Sequence, residues 1–177
     1  YVYKWKGCGY EMKLLIMSDT HGDEDIIERV KGYHPDAYKI IHCGDSELPY
    51  THPSMQEIER VKGNCDHDPN YLEEILFQVK GDRVYVTHGH LYDVKNSPMK
   101  LVYRAQEVGA QIVCFGHSHV LAAEYIEDTL FINPGSLLKP RGIKEKSFVT
   151  LTITPTHFTL DCYDDNNNLI DQLFFER

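Results

Sequence analysis

The chain has 177 residues, 42% of them hydrophobic and 25% charged, and a formal net charge of −9 at pH 7. That length fits one domain able to bury a core without disulfides or a structural metal. The composition excludes a disordered or low-complexity chain, no apolar run approaches the roughly 18 residues of a membrane-spanning helix, and with no run of lysines and arginines a nonspecific electrostatic hold on nucleic acid is not expected.

Residues 1–11 read YVYKWKGCGYE and show no period. Met12 would serve as a natural initiator, so this segment is expected to be an appended or disordered leader, with a single domain over 12–177. It lacks the continuous apolar region of a signal peptide, and the protein is read as cytoplasmic, with no membrane partner.

Residues 13–17 (KLLIM) form a buried strand that ends in Asp19-Thr20-His21-Gly22. Asp23 caps a helix with Ile26, Ile27 and Val30 on its apolar face. A strand over 37–42 leads to Gly44-Asp45. Residues 47–55, with Pro49 and Pro53, form a loop. A strand over 57–62 leads to Gly63-Asn64-Cys65-Asp66. Residues 74–80 and 83–87 form a hairpin turned at Gly81-Asp82, and its second arm ends in His88-Gly89-His90. An amphipathic helix over 98–108 carries Leu101, Val102, Ala105 and Val108 on one face and stops at Gly109. The strand 111–115 leads to Gly116-His117-Ser118-His119. Five strands follow, over 121–126, 129–132, 147–153, 157–163 and 169–175, with little helix between them. Parallel βαβ units followed by an antiparallel meander predict an α/β chain folded as a mixed two-sheet sandwich with helices outside.

Five apolar runs therefore end in clusters of metal-type ligands. Five in order, each at the C-terminal edge of a run, predict one site along one edge of a sheet, where open α/β sheets bind ligands. Asp19 and His21, His88 and His90, and His117 and His119 are each spaced i, i+2, which in extended backbone directs both side chains the same way. Oxygen and imidazole donors suit manganese, iron, nickel or zinc better than calcium or magnesium. The five cysteines, Cys8, Cys43, Cys65, Cys114 and Cys162, include no CxxC pair, which excludes a zinc ribbon or a thioredoxin-type motif. Asp19, His21, Asp45, Asn64, His88, His117 and His119 are too many ligands for one catalytic ion and about right for two ions sharing Asp45. Two such ions would offset about four units of the negative charge.

Ser18-Asp19-Thr20-His21, Gly44-Asp45, Gly63-Asn64-Cys65-Asp66, Thr87-His88-Gly89-His90, Gly116-His117-Ser118-His119 and Asn133-Pro134-Gly135-Ser136 together resemble the calcineurin-like metallophosphoesterases. The particular forms are similar to the family's small bacterial and archaeal phosphodiesterase subgroup. The resemblance implies a four-layer αββα sandwich of two mixed sheets. It implies that Asp19, His21 and His119 hold one metal, that Asn64, His88 and His117 hold the other, and that Asp45 bridges them. It further implies in-line attack on phosphorus by a bridging hydroxide, with Mn2+ or Ni2+ as the first expectation and Zn2+ or Fe as alternatives.

Cys65 departs from larger relatives, which carry a histidine after the asparagine as the proton donor to the leaving group. The donor is thus open among His90, Cys65, Asp66 and His67, with His90 favoured. Asp66 reads either as a cap or as a support that orients a ligand. His34, His42, His52 and His157 are expected to be structural. The expected activity is hydrolysis of a small phosphodiester, by a chain that can be a homo-oligomer. The alternatives are a phosphomonoesterase or phosphoprotein phosphatase on the same site, and an interaction scaffold of the same fold.

Overall fold

The computed structural model describes residues 9–177. Its strands are β1 (Met12–Met17), β2 (Lys39–His42), β3 (Ile58–Arg60), β4 (Glu74–Val79), β5 (Asp82–Thr87), β6 (Ile112–Cys114), β7 (Ala122–Ile126), β8 (Thr129–Asn133), β9 (Ser147–Ile153), β10 (His157–Asp164) and β11 (Leu169–Glu176). Its helices are α1 (Glu24–Tyr33) and α2 (Met99–Val108). One sheet has the order β11-β10-β9-β1-β2-β3 and the other β4-β5-β6-β8-β7. None of the described helices is long and apolar enough to cross a membrane.

Side-chain alternation builds the layers. In β1, Leu14 and Ile16 enter the core between the sheets, while Leu15 and Met17 pack outward with Ile26, Ile27 and Val30 of α1. The second sheet repeats this pattern. Val84, Val86, Ile112, Cys114, Leu130 and Ile132 face the first sheet, whereas Tyr85, Val113 and Phe131 face Leu101, Val102 and Ala105 of α2. Strands covered on both faces need apolar residues at every position, which is why they read as continuous runs. Each such side chain contributes roughly 1.5–3 kcal/mol of burial. The outcome is a helix–sheet–sheet–helix sandwich. α1 starts where expected, with Asp23 Oδ1 accepting from the Ile26 amide at 3.1 Å, and Gly109 stops α2 in left-handed backbone at φ 67°.

Four details differ from the sequence reading. Val79 pairs with Asp82, so the hairpin turns at Lys80-Gly81 rather than Gly81-Asp82. Asp82 opens β5, and its carboxylate is buried against Arg177. The strand expected over 57–62 contracts to Ile58–Arg60, since Glu57 sits at φ 62° and cannot extend it. The five C-terminal strands do not form one meander. β7 and β8 complete the second sheet, with β8 parallel to β6, and β9–β11 extend the first sheet from β1. Of the segment expected as a leader, residues 1–8 lie outside the described residues, and Tyr10 packs against the inter-sheet core with the Lys80 ammonium 5.6 Å from its ring centre.

Arg177 joins the two sheets at the end away from the ligand clusters. Its guanidinium pairs with Asp82 and lies 4.4 Å from the centre of the Phe158 ring. The other Asp82 oxygen, Oδ2, is buried without a hydrogen bond. Arg177→Ala leaves that carboxylate unpaired and should cost about 2–3 kcal/mol in urea denaturation. The double variant Arg177→Ala/Asp82→Ala should recover part of the loss.

Candidate metal centre

β1, β2 and β3 run parallel, as do β5 and β6, so the loops after these strands gather at shared edges. Backbone bonds lace the first two loops: Asp19 N–H donates to Gly44 O at 3.0 Å, His21 N–H to Asp45 O at 2.9 Å and Gly22 N–H to Ser46 O at 2.7 Å. Other bonds cross between sheets. The His117 amide donates to Asp19 Oδ2 at 3.2 Å, and His88 Nδ1 bonds to Cys43 O at 2.7 Å.

These contacts leave particular atoms facing one another. His21 Nδ1 meets Glu47 Oε1 and His119 Nδ1 meets Lys139 O, both at 2.7 Å. With Nδ1 held by an oxygen acceptor, Nε2 of His21, His88 and His119 faces the carboxylates and offers an inward lone pair once deprotonated. Asp19 Oδ1 lies 3.1, 3.7 and 3.8 Å from the Nε2 atoms of His119, His21 and His88, respectively. Asp45 Oδ2 lies 3.1 Å from His88 Nε2. Donor atoms of Asp19, His21 and His119 fall within 4.8 Å of one another, and so do those of Asp19, Asp45 and His88.

The electrostatics call for positive charge. Burial by itself would raise the Asp19 and Asp45 carboxyls. The facing imidazoles outweigh it and hold both below the usual carboxylate range, Asp45 far below. Burial would likewise lower His88, but its two carboxylate neighbours raise it. Asp19 Oδ1 and His88 Nε2 are nevertheless buried without a hydrogen bond, their close contacts being misaligned for one. Buried polar atoms without partners need an explanation. Inward lone pairs converging on a carboxylate oxygen are the arrangement a divalent cation satisfies. The donor set therefore fits metal ions.

The remaining residues divide into ligand neighbours and supports. The His117 ring lies 5.1 Å from that of His88 and is lowered to about 4 by burial, His88 and Lys95. Asn64 stands exposed on the rim with its amide 3.6 Å from Cys65 Sγ. The His90 ring lies 5.4 Å from His88 and 6.1 Å from His117, and its Nδ1 is buried without a partner. Burial, followed by the carboxylates of Asp45, Glu47 and Asp66, pushes the Cys65 thiol up to about 11, so it is not a thiolate near neutral pH.

Asp66 is not positioned as a proton donor. It is buried, and its oxygens accept from the amides of Asp45, Gly63 and Glu47 at 2.7–2.8 Å. It holds the Asp45 loop in place. His42 is structural, as expected, with Nδ1 accepting from the Gly44 amide and Nε2 bonded to Thr20 Oγ1. Ser136 Oγ donates to Asp19 O at 2.8 Å, and Asn133 Nδ2 donates to Gly116 O at 3.2 Å, so the Asn133–Ser136 turn supports the site. Glu47 was not foreseen. It lies in a segment read as a plain loop, and only its approach to His21 reveals it.

The Asp19/His21 and His117/His119 pairs meet through turns rather than the extended backbone expected of i, i+2 spacing. Asp19, His21, Asp45, His117 and His119 have φ of 54°, 44°, 59°, 69° and 61°, in left-handed rather than extended backbone. Each such residue costs of order 1–3 kcal/mol, and such strain gathers at functional sites. Two glycines admit the close contacts. A Cβ on Gly63 would sit 2.0 Å from Asp45 Oδ1, and one on Gly116 would sit 2.2 Å from Ser18 Oγ.

The family model described as the calcineurin-like phosphoesterase superfamily domain matches residues 12–156. The probable metallophosphoesterase YsnB of Bacillus subtilis is 39% identical over 163 residues, covering 92% of this chain and 96% of that protein. A crystal structure from Streptococcus pneumoniae TIGR4, of an uncharacterized protein described as a predicted phosphoesterase, superposes with a TM-score of 0.91 at 35% identity, covering 95% of this chain and 99% of that one. The phosphodiesterase YfcE of Escherichia coli K12 is 26% identical over 77% of this chain and 85% of its own length. Because Gly63 is needed for space beside Asp45, Gly63→Ala should lower Mn2+ affinity at least 10-fold in calorimetric titration while the fold survives by circular dichroism.

Proposed function

The chain belongs to the calcineurin-like phosphoesterase superfamily, a family of metal-dependent hydrolases, and on that premise we propose that it is a phosphodiesterase with a dinuclear metal centre. The observation that carries this reading is the convergence of inward imidazole lone pairs on Asp19 and Asp45, with Asp19 Oδ1 and His88 Nε2 buried and unpartnered. Asp19, His21 and His119 would hold one ion. His88 and His117, joined by Asn64 from the rim, would hold the other; on the family pattern Asp45 would be shared, while the carboxylate common to both donor groups in this structure is Asp19. Mn2+ or Ni2+ are the ions proposed first, with Zn2+ and Fe as alternatives, on the oxygen and imidazole character of the set. When bound, the ions supply a nucleophile at neutral pH and offset the charge that gathers on the phosphoryl oxygens.

The chain's own residues supply the rest. Glu47, Cys43 O and Lys139 O fix the three imidazole tautomers and so aim the ligands. Asp66 fixes the Asp45 backbone. His90, whose ring stands 5.4 Å from that of His88 and 6.1 Å from that of His117, is the proposed proton donor to the departing alkoxide. Cys65 stands where phosphomonoesterase relatives are expected to carry histidine, which favours diesters over monoesters. Donors kept intact in both groups count against a pure interaction scaffold. The four described cysteines are free thiols.

Two kinetic experiments test the reading. Asp45→Asn should reduce Mn2+-dependent hydrolysis of an aryl phosphodiester by at least about 100-fold, because one carboxylate serves both ions. A variant with wild-type rates would refute the shared site. His90→Asn should slow cleavage of an alkyl diester by about 10²–10⁴-fold. It should change p-nitrophenyl ester cleavage far less, since p-nitrophenolate departs without a proton. Equal losses on both substrates would remove His90 as the donor.

A further inference from the structure

Two hollows border the metal centre, and they differ in charge. One, of about 280 Å³, is walled by Glu47, Cys65, Asp66 and Asp68, and reaches the centre through Glu47, which bonds His21, and Cys65, whose amide bonds Asp45. The other, of about 460 Å³, lies against the His117–His119 turn and combines Lys95 and Arg141 with Ser118 and Asn133 over the apolar Phe115 and Val94.

The cationic wall is tied directly to a ligand. Arg141 N–H donates to His119 O at 2.9 Å, and Arg141 forms a bridge with Val120. Two residues earlier, Lys139 O takes the bond from His119 Nδ1. Residues 139–146 carry Lys139, Arg141, Lys144 and Lys146 against a single acid, Glu145, the densest group of cations in a chain of net charge −9. Among the described residues Lys95 and Arg141, like Lys139, Lys144 and Lys146, are in no ion pair, so their charge is uncompensated at this border. Lys95 is within electrostatic reach of His117, and Arg141 of His119. Free cations gathered at one border of an acidic protein focus anions there.

From this juxtaposition we infer that Lys95 and Arg141 form a subsite for a second anionic group, a carboxylate or a phosphate, carried on one ester arm of the diester, with Phe115 and Val94 against that arm's carbon skeleton. The inference rests on the phosphodiesterase reading and deepens it, since it names a substrate class: diesters with an added negative charge on one arm. Glu47, Asp66 and Asp68 repel the same group from the other hollow. The two hollows together give the diester one orientation across the metal centre.

The test uses three p-nitrophenyl diesters whose second arm ends in a carboxylate, a methyl or a trimethylammonium group. With Mn2+-loaded protein, kcat/KM should fall in that order, by about threefold to tenfold per step, a size suited to exposed ion pairs. The spread should shrink as salt is raised, because exposed charges are screened. Lys95→Ala/Arg141→Ala should bring the carboxylate-to-methyl ratio to about one, and Lys95→Arg/Arg141→Lys should restore it. Equal kcat/KM for all three esters, or a ratio unchanged in the alanine variant, overturns the subsite. If no ester is cleaved, the phosphodiesterase reading fails. Calorimetric affinities of the same compounds then decide the subsite: the same order supports it, and no order overturns it.

Discussion

The site depends on holding two carboxylates, Asp19 and Asp45, in the interior around one imidazole, that of His88. An unpaired buried carboxylate costs several kcal/mol even after relaxation. Here both are almost wholly covered, and both face His88 Nε2. The protein offsets part of the cost with hydrogen bonds: Ser18 and the His117 amide serve Asp19, and the Cys65 amide serves Asp45. These bonds go to Asp19 Oδ2 and Asp45 Oδ1, leaving Asp19 Oδ1 and Asp45 Oδ2 turned toward the histidines. The carboxylates are thus positioned by one oxygen and made available by the other.

The fold makes this arrangement affordable by its loops rather than its strands. Strands buried on both faces supply rigid ends, and the chain then turns at once into left-handed backbone at Asp19, Asp45, His117 and His119. Asp and His enter that region more readily than β-branched or bulky residues. The strain persists because neighbouring loops over-determine it. Asp66 holds three amides of two loops, His42 spans Thr20 and Gly44, and Ser136 reaches back to the Asp19 carbonyl. None of these groups needs to touch a substrate. Their common effect is that donor atoms from both sheets converge before any ion arrives, which lowers the reorganisation that binding would require.

Much of this was legible in the sequence, and the parts that were not share a cause. Buried strands such as residues 13–17 announce themselves because both faces demand apolar side chains, and α2 because its apolar positions recur at helical spacing. The clusters of Asp and His beside glycine at successive strand ends are legible as clusters, and the structure brings Asp19, His21, Asp45, His88 and His119 together. What escaped was whatever depends on contacts between distant segments. Glu47 looks like a loop residue until His21 is beside it. Asp66 could have been a donor or a support until its oxygens were found on three amides. β8 and β9 look alike as apolar runs, yet one pairs with β6 and the other with β1, a choice made by packing between sheets. The i, i+2 spacing led to the correct pairing of Asp19 with His21 while the backbone between them is a turn.

The proposed dinuclear centre requires two ions that share Asp45. Anomalous scattering from crystals grown with Mn2+ measures that directly. Two peaks are expected, one among Asp19, His21 and His119 and one beside His88 and His117, with Asp45 in contact with both. A single peak, or ions bound away from Asp45, would contradict it.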